Sequence, residues 1–206
     1  MRVRCLFAGS YAANTYLLED EAATGAILVD PAISPEAAFS RLGRLPRIHA
    51  IVLTHGHFDH TLTLAEWTRQ TGAPVAIGRG DAAALTDPAL SCYRSFLGRD
   101  TVFPPADRLL FEGDTVAVGA ECLRVLSVPG HTPGSLALDD GKLLLTGDTL
   151  FAGGGYGRTD LPGGDTAALL ASLRRLLSLE GERRVLAGHG EETTLSAAKT
   201  MFYNLM

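Results

Sequence analysis

Cysteine is scarce in this chain of 206 residues. The three that occur, Cys5, Cys92 and Cys122, are far apart and form no Cys-x-x-Cys pair. An odd and scattered set argues against a disulfide framework and against a zinc site built from thiolates. This cysteine usage fits a reducing compartment, so we expect a cytoplasmic protein.

Long apolar runs and basic runs are lacking as well. No segment approaches the roughly 20 apolar residues of a membrane span, and the apolar run 5–8 is too short for the core of a signal peptide. The formal net charge is −5 and no run of lysine or arginine occurs, so no basic surface for nucleic acid or an anionic membrane is expected. We predict a small-molecule substrate, with neither nucleic acid nor a membrane as partner.

The composition is that of an ordinary globular protein. Hydrophobic residues make up 46% of the chain and charged residues 20%, which is enough apolar material for a sizeable core. No repeat or linker divides the sequence. We therefore expect residues 1–206 to form a single domain.

Hydrophobic patterns predict two successive β-rich halves with helices attached. No pattern is evident over 91–105. Two such halves favour two packed sheets with helices on the outside. The predicted strands cover 3–7, 15–18, 26–29, 48–53, 74–77, 115–118, 122–127, 135–138, 142–145 and 184–187, and the predicted helices cover 35–42, 62–69, 81–86, 166–177 and the C-terminal tail.

A dense histidine cluster follows the predicted strand 48–53. The segment Thr-His-Gly-His-Phe-Asp-His at 54–60 places three imidazoles and one carboxylate within six residues. These groups are zinc ligands, and imidazole also suits iron, nickel and manganese less exclusively. Two ligand pairs on one loop favour two metal ions.

Three further candidate ligands follow apolar strands and lie beside glycine. They are His131 in Pro-Gly-His-Thr-Pro-Gly, Asp148 in Thr-Gly-Asp-Thr and His189 in Gly-His-Gly. Because glycine has no side chain, the backbone beside these residues can approach a metal closely. The sixth histidine, His49, is interpreted as an ordinary strand residue.

The order His-x-His-x-Asp-His, Gly-His, Gly-Asp, Gly-His resembles the metallo-β-lactamase superfamily, over most of the chain. The resemblance implies an αββα four-layer sandwich of the α/β class with the metals at one edge between the sheets. It implies two divalent metal ions, with zinc expected and iron or manganese as alternatives. It assigns His55, His57 and His131 to one metal, Asp59, His60 and His189 to the other, and Asp148 to both.

This resemblance also carries a mechanism and a supporting residue. Two metals would hold a bridging hydroxide and polarise a scissile carbonyl, with Asp59 and Asp148 as the predicted catalytic carboxylates. Asp30, at the end of the strand 26–29, matches a family position that supports the metal site from behind. An ordinary surface aspartate at a strand end is the alternative for Asp30.

The glycine-rich loop after Asp148 indicates a branch of the family. Its Gly-Arg-Thr-Asp segment at 157–160 is similar to glyoxalase II-like hydrolases, in particular the small bacterial type that lacks most of the glutathione-binding region. A thioester or ester is therefore the expected substrate. Arg158 is predicted to grip a substrate carboxylate, or alternatively to pair with Asp160 or Asp165.

Other functions remain compatible with the sequence. A persulfide dioxygenase also shows Gly-Arg-Thr-Asp and would hold one ferrous ion with His55, His131 and Asp148, although its usual Phe is Leu161 here. A lactonase or a true β-lactamase could use the same scaffold. A protein whose metals only stabilise the fold would have closed sites.

Overall fold

The structure is a computed structural model that describes residues 1–6 and 11–203. Its first half builds a mixed six-stranded sheet in the order β1-β2-β3-β4-β5-β6. Strands β1 to β3 are antiparallel neighbours, and β3 to β6 run parallel. These strands are β1 (Arg2–Leu6), β2 (Thr15–Glu19), β3 (Ala26–Val29), β4 (Ile48–Leu53), β5 (Val75–Gly78) and β6 (Arg108–Leu110).

The second half builds a second mixed sheet of six strands, in the order β12-β11-β10-β9-β8-β7. Only β10 and β11 pair in parallel, and the other neighbours are antiparallel. The strands are β7 (Thr115–Val118), β8 (Glu121–Ser127), β9 (Leu136–Asp139), β10 (Leu143–Gly147), β11 (Arg184–Ala187) and β12 (Thr193–Thr194).

In the described part of the chain, five α-helices accompany the sheets: α1 (Pro35–Leu42), α2 (Leu64–Thr71), α3 (Tyr93–Leu97), α4 (Thr166–Leu177) and α5 (Leu195–Met201). Side chains cap the starts of α1 and α4, since Ser34 accepts from the amide of Ala37 and Asp165 from that of Ala168. Such caps satisfy amides that have no partner in the first turn. Short 3₁₀ turns occur at Phe58–His60, Arg79–Leu85 and Ala152–Gly154.

Alternation along the strands divides the core into layers, because neighbouring side chains point to opposite faces of a sheet. On β2 and β3, Leu18 and Ile27 pack between the two sheets. Leu17 and Leu28 point the other way and pack with Trp67 of α2. Trp67 is fully buried, and its indole donates to the carbonyl of Ile33 at 2.8 Å.

Helices α4 and α5 cover the outer face of the second sheet. Leu169, Leu173 and Leu176 of α4 lie on one face of the helix and contribute to the same cluster as Leu195 of α5. Burying each such side chain stabilises the fold by about 1.5–3 kcal/mol. The layers are helix, sheet, sheet, helix, which confirms the expected αββα sandwich.

Most of the predicted elements are found within one or two residues of their predicted ends. The helix predicted at 62–69 begins at Leu64, because the chain first makes the 3₁₀ turn at Phe58–His60. Strands β6 and β12 and helix α3 were not predicted. Residue 7 of the predicted first strand and residues 204–206 of the predicted tail lie outside the described residues, and a single domain over 1–206 stays a prediction.

Strand direction positions the functional site. The loops that carry the candidate ligands follow the carboxyl ends of β4, β8, β10 and β11, and Asp30 directly follows β3. Parallel neighbours deliver such loops to the same edge of a sheet. Within residues 1–6 and 11–203, no helix is both long and apolar enough to cross a membrane.

Candidate metal centre

The first group of ligand atoms joins the two sheets. His55 and His57 follow β4 of the first sheet, and His131 follows β8 of the second. All three side chains are buried, and their ligand atoms lie within 4.8 Å of one another. Nδ1 of His57 is 2.9 Å from Nε2 of His131. Three imidazoles from two sheets therefore converge on one point.

The second group lies beside the first and contains Asp59, His60 and His189, whose ligand atoms are also within 4.8 Å of one another. Nε2 of His189 lies 3.1 Å from Oδ2 of Asp59. His60 is fully buried, whereas Asp59 and His189 are half-buried. This second group therefore faces the solvent more than the first.

Asp148 lies between the two groups. Its Oδ1 is 3.2 Å from Nε2 of His60, and its Oδ2 is 3.6 Å from Nε2 of His131 and 3.5 Å from Nε2 of His189. The backbone can place it there because the neighbouring loop has no side chain at Gly188, where a Cβ would collide with Oδ1 of Asp148. One carboxylate thus reaches both groups of histidines.

Four buried polar atoms of this cluster have no hydrogen-bond partner: Nε2 of His55, Nε2 of His57, Nε2 of His60 and Oδ1 of Asp148. Burying a polar atom without a partner is costly, and folded proteins seldom do so. Cations bound by the two groups of ligands would satisfy these atoms. The donor set of imidazole nitrogens and carboxylate oxygens therefore fits metal ions, zinc and iron among them.

Burial and neighbouring charges set the protonation of the cluster. Burial, with the charge of His60 as a further cause, lowers the pKa of His55 well below its usual value. Burial and the charge of His131 lower the pKa of His57 to about 4. These two imidazoles are therefore neutral at pH 7, which is the form that binds metals.

Around His60 the neighbouring carboxylates raise the pKa of the imidazole, whereas the pKa values of His55 and His57 are lowered. Burial opposes a charge on this ring, but Asp30 and Asp148 outweigh it and raise the pKa of His60 well above its usual value. Burial would raise the pKa of Asp148, yet the charge of His60 holds it below its usual value. The carboxylates of the site thus favour a positive charge at its centre.

Asp30 lies behind the cluster. Its Oδ1 accepts from the amide of Thr54 at 2.8 Å, and its Oδ2 accepts from the hydroxyl of Thr54 at 2.7 Å. Oδ2 also lies 2.8 Å from Nδ1 of His60. Asp30 therefore orients one ligand directly and holds the start of the ligand loop, as expected of a supporting carboxylate.

Asp81 is a buried residue of the site that the sequence did not reveal. Its Oδ2 accepts from the amide of Gly56 at 2.9 Å and from the hydroxyl of Thr132 at 2.7 Å. Its Oδ1 accepts from the amide of Gly134 at 2.7 Å. Gly56 lies between two ligands, and Thr132 follows His131, so Asp81 ties the two ligand loops together. No spacing in the sequence signals this role.

Two side chains from the start of β2 anchor the loop that carries His189: Asn14, which directly precedes the strand, and Tyr16, which lies on it. The Asn14 side chain donates to the carbonyls of Ala187 and Gly190 at 3.1 and 2.9 Å. The Tyr16 hydroxyl donates to the carbonyl of Ala187 at 2.7 Å. These bonds fix the backbone on both sides of His189.

Arg158 lies at the rim of the cleft above the ligands. Its backbone carbonyl lies 2.7 Å from Nδ1 of His131, which links this loop to the metal cluster. Its guanidinium makes two bonds to Asp160, from Nε to Oδ1 and from Nη2 to Oδ2, both 2.6 Å long. Asp165 instead caps α4. The structure therefore contains the Arg158–Asp160 pair, and substrate binding by Arg158 stays a prediction.

The ligands form the floor of an open cleft of about 340 Å³. His57, Asp59, His131, Asp148 and His189 reach it. Its walls contain a high share of aromatic and aliphatic side chains. The other lining residues are Tyr11, Phe58, Cys92, Phe96, Phe151, Gly157, Arg158 and Leu161. The ligand cluster is thus accessible to a small molecule.

Comparison with known proteins gives concordant results. A model of the metallo-beta-lactamase superfamily matches residues 8–189. The chain is 41% identical to the probable metallo-hydrolase YqgX of Bacillus subtilis, over 70% of this chain and 69% of that one. It is 30% identical to the hydroxyacylglutathione hydrolase GloC of Haemophilus influenzae, over 97% and 95% of the two chains.

Solved structures of similar proteins share the whole architecture. The B3 metallo-beta-lactamase BLEG-1 matches with a TM-score of 0.88 and 33% identity over 97% of both chains. The di-iron-bound form of TTHA1623 gives a TM-score of 0.78 and 39% identity, over 94% of this chain and 96% of that one. ETHE1 from Myxococcus xanthus gives a TM-score of 0.76 and 30% identity, over 97% of this chain and 82% of that one.

All seven predicted ligands, in two groups joined by Asp148, form a histidine and aspartate cluster typical of dinuclear metal sites. The relatives are consistent with a metal-dependent hydrolase. Because the family model covers most of the sequence and GloC matches over nearly its full length, the chain belongs to the metallo-beta-lactamase superfamily.

Proposed function

We propose that this protein hydrolyses a thioester or ester of a small molecule, with two divalent metal ions, zinc in the first instance, as cofactors. The observation that carries the proposal is the convergence of seven ligands, five of which reach the floor of an open cleft. A metal that only stabilises a fold has a closed set of ligands. A cluster that reaches a cleft is suited to chemistry.

The residues divide into two ligand sets that share Asp148. His55, His57 and His131 would hold one ion, and Asp59, His60 and His189 the other. A pair of divalent ions supplies Lewis acidity towards a carbonyl oxygen and ionised water at neutral pH. The overall reaction adds water across the acyl–sulfur or acyl–oxygen bond and releases a carboxylic acid and a thiol or alcohol.

The chain itself orients the ligands and limits access of water. Asp30 and Asp81 hold the ligand loops from behind, so that little rearrangement is needed when substrate binds. Asp59 and Asp148 bring negative charge to the two ion positions. Phe58, Phe96 and Phe151 line the cleft beside them and keep part of the wall free of water.

A screen of the metal-loaded protein tests the proposal. The panel contains S-lactoylglutathione, a neutral thioester, a simple lactone and a β-lactam, with Asp148→Ala protein as the inactive control. Turnover of a thioester or ester that is lost in Asp148→Ala is expected. Turnover of the β-lactam alone, or of none of these by protein with both metal sites filled, would reject a thioester or ester hydrolase.

A persulfide dioxygenase is the second candidate, because of the Gly-Arg-Thr-Asp segment at 157–160 and the likeness to ETHE1. That reaction needs His55, His131 and Asp148 for a single iron. It assigns no metal to His57, Asp59, His60 and His189, although these side chains meet at the same place. One iron per chain, together with oxygen uptake on glutathione persulfide, would favour the dioxygenase over the hydrolase.

A further inference from the structure

One wall of the cleft is a stack of aromatic rings that no metal ligand requires. The ring of Phe96 on α3 stacks on that of Phe58, with centroids 5.1 Å apart and planes inclined by 17°. Tyr93 meets Phe58 edge to face at 6.0 Å and 70°. Phe96 remains 48% exposed and Tyr11 63% exposed. Exposed apolar rings that gather at a cleft mark a binding surface.

Side-chain cations are scarce along the cleft beside the metal ligands. Arg158 is the one arginine or lysine among its described lining residues, and Asp160 already accepts two bonds from its guanidinium. The neighbouring Arg94 lies outside the lining and pairs with Asp100. Residues 7–10, which lie outside the described part, are Phe-Ala-Gly-Ser and carry no charge. The other charged residues of the lining, Asp59 and Asp148, are assigned to the metal ions, whose positive charge would offset theirs.

The size of the cleft points the same way. Its volume of about 340 Å³ is at the lower end of the roughly 300–1,000 Å³ usual for small-molecule sites. A glutathione conjugate is a tripeptide derivative with two carboxylates. Along the described wall its carboxylates would meet no arginine or lysine other than Arg158.

We propose that the substrate is a small uncharged thioester or ester whose apolar group packs on Phe58 and Phe96, and not a glutathione conjugate. This inference rests on the proposed hydrolase function and specifies its substrate class. Phe96 is the specificity-determining residue, because its exposed ring lines the cleft and is not a metal ligand. Apolar contact area, and not charge pairing, then supplies the selectivity.

Hydrolysis of a graded substrate series tests this inference. The series contains the acetyl, butyryl, hexanoyl and benzoyl thioesters of N-acetylcysteamine, beside S-lactoylglutathione. Each buried methylene contributes about fourfold in binding, so we expect kcat/KM to rise by about tenfold or more from acetyl to the larger acyl groups. The larger neutral thioesters should also exceed S-lactoylglutathione.

Variants can distinguish an effect of the aromatic wall on acyl-group selectivity from an effect on the metal site. Phe96→Ala should lower kcat/KM about tenfold for the larger acyl groups and less than about twofold for acetyl, with metal content and Tm unchanged. Phe39→Ala is the matched control, because Phe39 is 53% exposed on α1 and does not line the cleft. Phe39→Ala should leave kcat/KM for every substrate at the wild-type value.

A binding measurement gives a readout that does not depend on turnover. The S-hexyl thioether of N-acetylcysteamine cannot be hydrolysed, and calorimetry should show that it binds wild type about tenfold more tightly than Phe96→Ala. Efficient turnover of S-lactoylglutathione with poor turnover of all neutral thioesters would overturn the inference and leave the hydrolase proposal standing. Tight binding of the thioether with no turnover of any thioester or ester would instead reject the hydrolase, and with it the substrate class.

Discussion

Oδ2 of Asp30 lies 2.8 Å from Nδ1 of His60, and both side chains are buried. The contact leaves Nε2 of His60 directed at Asp148, 3.2 Å from its Oδ1. Asp30 also has a left-handed backbone conformation, with φ +53°. Among residues with a side chain, aspartate and asparagine adopt this conformation most readily. Backbone and side chain at position 30 are therefore constrained together.

Asp30→Asn is the substitution that isolates the charge, since asparagine tolerates the same backbone conformation. Loss of the carboxylate should weaken metal binding by about 10–100-fold, as is usual for a partner of a ligating histidine. Competition with a chelator measures the affinity. Asp100→Asn, in an exposed pair with Arg94, is the control and should bind metal as the wild type does. An unchanged affinity in Asp30→Asn would show that the contact does not tune the metal site.

Asp81→Ala should reduce both stability and metal binding. The substitution leaves the amides of Gly56 and Gly134 and the hydroxyl of Thr132 without their acceptor. A buried donor left unpaired costs about 1–3 kcal/mol, so the free energy of unfolding should fall by about 3 kcal/mol or more. Denaturant titration and elemental analysis measure the two effects.

Asp107→Ala is the control for the Asp81 experiment. Asp107 accepts from the amide of Val75 at 2.8 Å, at one edge of the first sheet and away from the ligand loops. Its loss should lower stability without changing metal content. If Asp81→Ala bound both metals with wild-type affinity, the link between the two ligand loops would have no role in the metal site.

Asp148→Ala should lose most of the metal at both positions, because the carboxylate lies within 3.6 Å of ligand nitrogens from both groups. Asp59→Ala should keep about one equivalent, since His55, His57 and His131 remain intact. Elemental analysis of folded protein gives the stoichiometry, and His49→Ala, an exposed histidine outside the cluster, should match the wild type. Equal loss of both metals in Asp59→Ala would refute two separable sites.

Arg158→Ala should change kcat/KM for a neutral thioester by less than about twofold. The guanidinium is exposed and paired with Asp160, and exposed ion pairs contribute little to stability, so Tm should also stay close to that of the wild type. Steady-state kinetics on a neutral and a carboxylate-bearing thioester make the comparison. A loss confined to the carboxylate-bearing substrate would show that Arg158 leaves Asp160 to bind substrate, as the sequence suggests.

Local patterns predicted much of this molecule. Short apolar runs bounded by turn-forming residues indicated most strands of both sheets. Many of these strands are buried along their whole length, because each sheet is covered on both faces. Helix α4 was predicted with its observed ends, 166 and 177. By contrast, β6 and β12 have three and two residues and are too short for a pattern. Helix α3 lies in a segment without periodicity, where contacts with Phe58 and Phe103 decide the conformation.

The sequence alone determined the ligand types and their order, since histidine and aspartate gathered at strand ends beside glycine are typical of a metal centre. Only the tertiary structure decided which residues support them and what surrounds them. Asp81 meets Gly56 across 25 residues and Thr132 across 51, and Phe96 reaches Phe58 from a helix that no local signal predicts. Ligand chemistry is a property of a residue and its neighbours along the chain. Support, charge balance and the shape of the cleft depend on contacts between distant segments, which exist only once the two sheets have packed.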